Sequence, residues 1–266
     1  MRKAPLILVV CVMMGISAFA QTRPNKALYL DMGGCWGIAD SYDNGTIPFH
    51  IMGISNIQTY GATYEWSRYQ TDFEFCNIST TLVNPSGACE EYDINDDLLY
   101  RIQDSKSGRW HQWVGGNIEA FVDFREIPSL QNASVNLSLF GDLGFVWKAE
   151  YHFAFNKAKT HNWLTAYSKV GLPLVGVFNR PDFSYVGDDI GLSSNFKKLF
   201  SEHHTFAKFF PGCNSDLGLR LNFKNGNSIA FDYRWDYITT GQKDIYNYVN
   251  AIHSVNATFM FNLYRK

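Results

Sequence analysis

Beyond its first twenty residues, this chain of 266 lacks any long apolar run. A membrane-crossing helix needs about 20 consecutive apolar residues, so the body of the chain offers none. Cysteine is scarce, with five in all and Cys11 among the first twenty residues. Repeats, low-complexity tracts and linkers are missing, which leaves one sizeable domain. An excess of positive charge is missing too: the net charge is −2, with 23 basic and 25 acidic residues. That balance excludes the basic footprint of a nucleic-acid binder.

The N-terminus has three parts. Arg2 and Lys3 are followed by an apolar run from Leu6 to Met14, then by Ala18-Phe19-Ala20. A basic start, a short apolar segment and a small-x-small site read as a secretory signal peptide. Residues 1–20 are assigned to it, with cleavage after Ala20. Cys11 follows Val9-Val10 inside the apolar run, a poor context for lipidation. Residues 21–266 form the mature domain. Removing Arg2 and Lys3 leaves 21 basic against 25 acidic residues, a net of −4. Export permits disulfides. Cys76 and Cys89 flank a polar segment with Pro85, Ser86 and Gly87, and are the expected pair. Cys35 and Cys213 are left open.

What the chain has in abundance is aromatic residues, 16% of the total, against a negative mean hydropathy of −0.19. They fall at every second position. Val255, Ala257, Phe259, Phe261 and Leu263 share one face, opposed by Ser254, Asn256, Thr258 and Asn262, with Met260 the exception. Ile229, Phe231, Tyr233, Trp235 and Tyr237 oppose Asp232, Arg234 and Asp236. Leu217, Leu219 and Leu221 oppose Arg220. Leu143, Phe145, Trp147, Tyr151 and Phe153 oppose Lys148, Glu150 and His152. Val114, Ile118, Val122 and Phe124 oppose Glu119 and Asp123. Successive side chains of a strand point to opposite faces, so these segments are strands with one apolar and one charged side.

Two soluble sheets could bury such apolar faces against each other. Aromatics at strand ends, as at Trp235 and Tyr237, fit the interface girdles of a membrane barrel instead. The expected fold is all-β, a transmembrane antiparallel up-and-down barrel. Ten strands are assigned: 27–40, 54–64, 68–76, 97–104, 112–125, 133–154, 162–178, 213–224, 227–238 and 249–264. Eight or twelve fit the same pattern. Pro173 cannot donate to a ladder, so a bulge or rim position is expected there. Short turns at 105–109, 156–161 and 224–227 alternate with longer connections at 41–52, 77–96, 126–132, 179–212 and 239–247.

The polar faces gather Glu119, Asp123, Asp142, Lys148, Glu150, His152, Lys169, Arg220, Asp232, Arg234 and Asp236. In a barrel of about ten strands these charges fill a narrow lumen and must be paired. In the 179–212 connection, Phe196, Leu199, Phe200, His203, Phe206 and Phe210 recur at helical spacing after Ser193, Ser194 and Asn195. That predicts a short amphipathic helix in an extracellular loop. Adjacent residues on a helix point about 100° apart, so His203-His204 makes a poor metal site. No metal or cofactor is expected.

The chain resembles Gram-negative outer-membrane β-barrel proteins. The resemblance rests on the Ala-Phe-Ala-Gln processing site, the alternating strands and the final alternating strand. Leu172-Pro173-Leu174-Val175-Gly176, followed by a long loop and two closing hairpin strands, is similar to a barrel group without assigned activity. The resemblance implies outer-membrane location, contact with outer-membrane lipids, and recognition of the C-terminal strand by the assembly machinery. Such proteins usually end on an aromatic residue. This chain ends Leu263-Tyr264-Arg265-Lys266, with Tyr264 as the nearest substitute. The expected function is non-enzymatic, structural or binding, around a narrow charge-lined lumen. The alternatives are a lipid-modifying hydrolase, of the lipid A deacylase or phospholipase kind, and a small-solute porin. The His-plus-Ser signatures of such hydrolases are not recognisable here. His253 and Ser254 are adjacent and therefore point to opposite faces of a strand.

Overall fold

Period-two alternation becomes a wall only if the sheet closes, and it does. The computed structural model describes residues 26–43, 47–105, 109–133, 135–153, 163–181, 203–209, 211–241 and 247–265. The proposed signal segment falls outside them. The strands are β1 (Lys26–Asp43), β2 (Ile47–Trp66), β3 (Tyr69–Asn84), β4 (Ser86–Asp104), β5 (Trp110–Glu126), β6 (Val135–Phe153), β7 (Leu164–Pro181), β8 (His203–Lys208), β9 (Gly212–Asn222), β10 (Ser228–Thr239) and β11 (Tyr248–Arg265). Every pairing is antiparallel. β1 joins β11, and β6 joins β7, so ten strands form a closed barrel with β8 as an extra piece on β7.

The barrel is strongly sheared. Its register runs from Thr165 through Arg220, Ala230, Thr258, Gly33, Thr59, Cys76, Asp93, Phe121 and Phe140 to Phe178. One circuit thus climbs β7 by 178 − 165 = 13 residues. One of these is Leu174, the bulge next to Pro173. Such stagger forces the strands to tilt, on the order of 40° in barrels of this kind.

The wall is apolar outside. Met32, Trp36, Ile38, Ile54, Leu98, Ile118, Leu143, Leu172, Leu217, Phe231, Val255 and Phe261 are exposed, Trp36 by 74%. So large an apolar belt would be an aggregation hazard in water. At the end carrying both termini, the near end, aromatic rings meet around the rim. Tyr64 lies 5.2 Å from Trp66, Trp66 5.6 Å from Tyr69, Tyr69 5.2 Å from Tyr100, and Trp110 6.4 Å from Tyr151. Two turns there are tight: Ser67 and Arg68 join β2 to β3, and residues 223–227 join β9 to β10. In the β9–β10 hairpin, Gly226 donates to the Phe223 carbonyl at 3.0 Å and adopts φ 91°, open to glycine and costly for other residues.

Three expectations need correction. The 77–96 segment is strand, not loop: β3 runs on to Asn84, Pro85 turns the chain, and β4 starts at Ser86. The 41–52 connection likewise is mostly β1 and β2. Second, Cys76 and Cys89 are unbridged, and Cys35, Cys76, Cys89 and Cys213 are all free thiols. Cys76 stands opposite Asp93, and Cys89 opposite Thr80. Four residues along a strand separate the two levels, roughly 13 Å, too far for a disulfide. Third, no helix occupies the described part of 179–212. His203 and Phe206 lie in β8, while Phe196, Leu199, Phe200 and Phe210 fall outside the described residues. β9 pairs with β7 only from Leu164 to Gly171, which leaves its far half an open edge. β8 covers that edge from Gly176 to Pro181, satisfying backbone groups that a helix would leave bare. Among the described residues the one helical segment is a 3-10 turn, Pro128–Ala133, at the far end.

Candidate functional site: the barrel lumen

Alternation turns all eleven expected charges inward: Glu119 and Asp123 from β5; Asp142, Lys148, Glu150 and His152 from β6; Lys169 from β7; Arg220 from β9; Asp232, Arg234 and Asp236 from β10. Shear then spreads them over four levels.

Nearest the termini is an open vestibule of about 530 Å³, lined by Glu65, Arg101, His111, Trp113, His152 and Lys224 among others. His111 bonds Asp104, and its ring lies 5.0 Å from that of His152. His152 Nδ1 contacts Thr165 Oγ1 at 2.8 Å. Thr165 is fully buried and also accepts from Asn222 at 2.9 Å. Its hydroxyl is therefore held by neighbours, not presented to a substrate.

The second level is a lattice of ion pairs around a cavity of about 140 Å³. Arg220 reaches Glu150 at 2.8 Å. Lys148 lies between Asp72 at 3.4 Å and Glu150 at 3.5 Å. Lys169 lies between Asp97 at 3.0 Å and Asp216 at 3.8 Å. Arg234 joins Glu74 at 2.8 Å to Asp216 at 3.0 Å. Asp232 has no such cation and instead accepts from Tyr167 at 2.8 Å and Asn256 at 2.7 Å.

The third level is acidic. Glu91, Asp93, Glu119, Asp142 and Asp236 line a cavity of about 40 Å³ on one side of the lumen. An apolar cluster of Cys35, Ala39, Ile57, Cys76, Ile78 and Ile252 adjoins it, and Ile78 and Ile252 line the same cavity. The fourth level lies toward the far end. Phe121, Phe140, Phe178 and Tyr248 pack together, with Phe121 5.0 Å from Phe140 and Phe178 5.2 Å from Tyr248. Beside them, Asp123 receives Arg125 at 2.7 Å, the Tyr248 hydroxyl at 3.0 Å and the Cys89 thiol at 3.0 Å.

The expected charge network left out Asp31, Glu65, Asp72, Glu74, Glu91, Asp93 and Asp97, all inward on β1–β4, and also Arg101, Arg125 and Asp216. Most of the additions are acids, so the lumen carries more negative charge than the mixture expected. The signal was there in Asp72-x-Glu74 and Glu91-x-Asp93-x-Asn95-x-Asp97. It was hidden because the outer face of β2–β4 is also polar, with Asn56, Gln58, Ser79, Thr81 and Asp96 exposed on it. Alternation between two polar classes leaves no hydropathy period.

His253 faces outward beside Trp235 and Tyr233, while Ser254 is buried inside. No serine nucleophile stands beside that histidine among the described residues.

A closed antiparallel sheet with an apolar belt, aromatic rims and a charged filling defines a transmembrane β-barrel. No family model and no curated protein matches the chain. The solved structures to which it is similar include outer-membrane β-barrels. They include the translocator domain of the autotransporter NalP from Neisseria meningitidis, at 10% identity over 97% of this chain and 98% of that one, with a TM-score of 0.45. The β domain of the Bordetella autotransporter BrkA is 10% identical over 89% and 99%, with a TM-score of 0.40. Neisserial surface protein A is 10% identical over 87% and 95%, with a TM-score of 0.38.

Proposed function

We propose that this chain is an exported outer-membrane barrel that does not conduct, and that its role is structural or binding, without catalysis. The far-end layer of Phe121, Phe140, Phe178 and Tyr248, backed by Arg125 and Asp123, carries this reading. A solute entering the vestibule meets the ion-pair lattice first, then this aromatic layer. Each buried pair resists removal, because taking one partner leaves an uncompensated charge. The near end, with the short β2–β3 and β9–β10 turns, faces the periplasm, and the apolar belt contacts lipid. The C-terminal strand, β11, is the element offered to the assembly machinery. Planar-bilayer recording of purified barrel tests the proposal. Insertion without steady current is expected, and a stable open-channel current would sink it.

A further inference from the structure

The outer wall is apolar on every side but one. Asn56, Gln58, Asn77 and Asp96 point outward from β2, β3 and β4. Strand geometry gives their depth. A rise of about 3.3 Å per residue along strands tilted about 40° makes about 2.5 Å of height per residue. Gln58 and Asn77 are paired across β2 and β3. Each lies eight residues from the girdle ring of its own strand, Trp66 or Tyr69. Both therefore stand about 20 Å above the near-end girdle, with Asp96 about 10 Å above Tyr100 and Asn56 about 25 Å above Trp66. The apolar band of a membrane barrel is about 25 Å tall. Gln58, Asn77 and Asp96 thus lie within it, and Asn56 at its far edge. No other strand turns an amide or a carboxylate outward at this depth, among the described residues. Asp96 receives the Thr71 hydroxyl. The amides are poorly served. The side chains of Asn56 and Asn77 make no hydrogen bond among the described residues, and Gln58 has only the Tyr60 hydroxyl, at 3.5 Å. Hydrocarbon offers them no partner.

We infer that the outer face of β2 and β3 is a contact surface for a second copy of this chain within the membrane. An amide both donates and accepts, so one amide is the complement of another. A two-fold axis along the membrane normal keeps every residue at its own depth in both copies. Gln58 and Asn77 share one depth, so Gln58 of each copy can meet Asn77 of the other. That reciprocity is what an isologous dimer requires. With the axis between β2 and β3, the two Asp96 carboxylates on β4 fall on opposite sides of it and do not collide. A cationic partner would answer Asp96 and leave three amides unserved, while acyl chains would answer none. Tyr60 and Tyr92, exposed beside the amides, add apolar area to the contact. The inference rests on the membrane-barrel fold and not on the absence of conductance.

The test uses full mature barrel. Its mass is read by sedimentation in density-matched micelles at graded protein-to-detergent ratios. Association in phosphatidylcholine vesicles is read by energy transfer between dye-labelled copies. Wild type should be dimeric at high ratio and in vesicles. Gln58→Leu combined with Asn77→Leu should weaken association by about tenfold or more, the worth of one or two hydrogen bonds in lipid. Its heat modifiability should match wild type, because both side chains lie outside the lumen. Phe231→Leu, on the outer face of β10, should associate as wild type does. Should the double variant fail to fold, Gln58→Leu alone decides. Wild type that is monomeric in micelles and vesicles, or amide variants that associate as tightly as wild type, would overturn the inference.

Discussion

Arg234 ties together two carboxylates from strands far apart in the chain, Glu74 on β3 and Asp216 on β9, while its side chain is only 14% exposed. Replacing it with methionine keeps the volume but leaves two acids facing each other across the lumen. Buried pairs broken on one side typically cost about 3–5 kcal/mol. Arg234→Met should therefore lower the urea midpoint of the folded barrel markedly, and Arg234→Lys should recover part of the loss. Equal midpoints for wild type and the methionine variant would mean the pair is silent. On the outer face the telling residue is Asp96, exposed between Phe73 and Ile118 on the neighbouring strands and receiving the Thr71 hydroxyl at 2.9 Å. Alternation foretold which way most residues on β5, β6, β9, β10 and β11 point. It did not reveal Asp96, because a charge on the lipid side breaks the pattern from which strands are recognised.

At the scale of elements, backbone approach matters as much as side chains. Gly115 on β5 lies opposite Leu99 on β4. A Cβ at Gly115 would overlap the Leu98 carbonyl, which is backbone and has nowhere to go. Gly115→Ala should thus strain the β4–β5 ladder, with a loss on the order of 1–3 kcal/mol as for other overpacked sites. The measurement is the fraction of protein that migrates as the compact, heat-modifiable form before boiling. An unchanged fraction and unchanged urea midpoint would show that the ladder can flex there. Strands β5, β6, β9, β10 and β11 were legible because one side of each is apolar. The extents of β2–β4 were not, since polar residues on both faces made half of two strands look like a loop. The helix expected in 179–212 failed on another ground. Helical spacing in residues 196–210 competed with an open sheet edge on β7, and for 203–208 the edge won.

At the scale of the whole molecule, the proposed function requires a tube closed from within. If the aromatic layer is the seal, removing its bulk should open it. Phe140→Ala combined with Phe178→Ala is expected to turn a silent barrel into one with measurable single-channel current. Circular dichroism should stay β-rich, because the wall is untouched. A folded double variant that still passes no current would move the seal elsewhere, to the ion-pair lattice or the far-end loops.

The sequence by itself determined that this is a membrane barrel of about ten strands and which side of most strands meets lipid. Period two is a local property, set by the geometry of each strand alone. Only the tertiary structure decided which inward charges meet. A strand's own residues say which face they take but not their height around the barrel. That height comes from the stagger that lifts the register 13 residues in one circuit. It brings Arg234 to Glu74 and gathers Asp93, Glu119, Asp142 and Asp236 around one cavity that, among the described residues, no lysine or arginine lines.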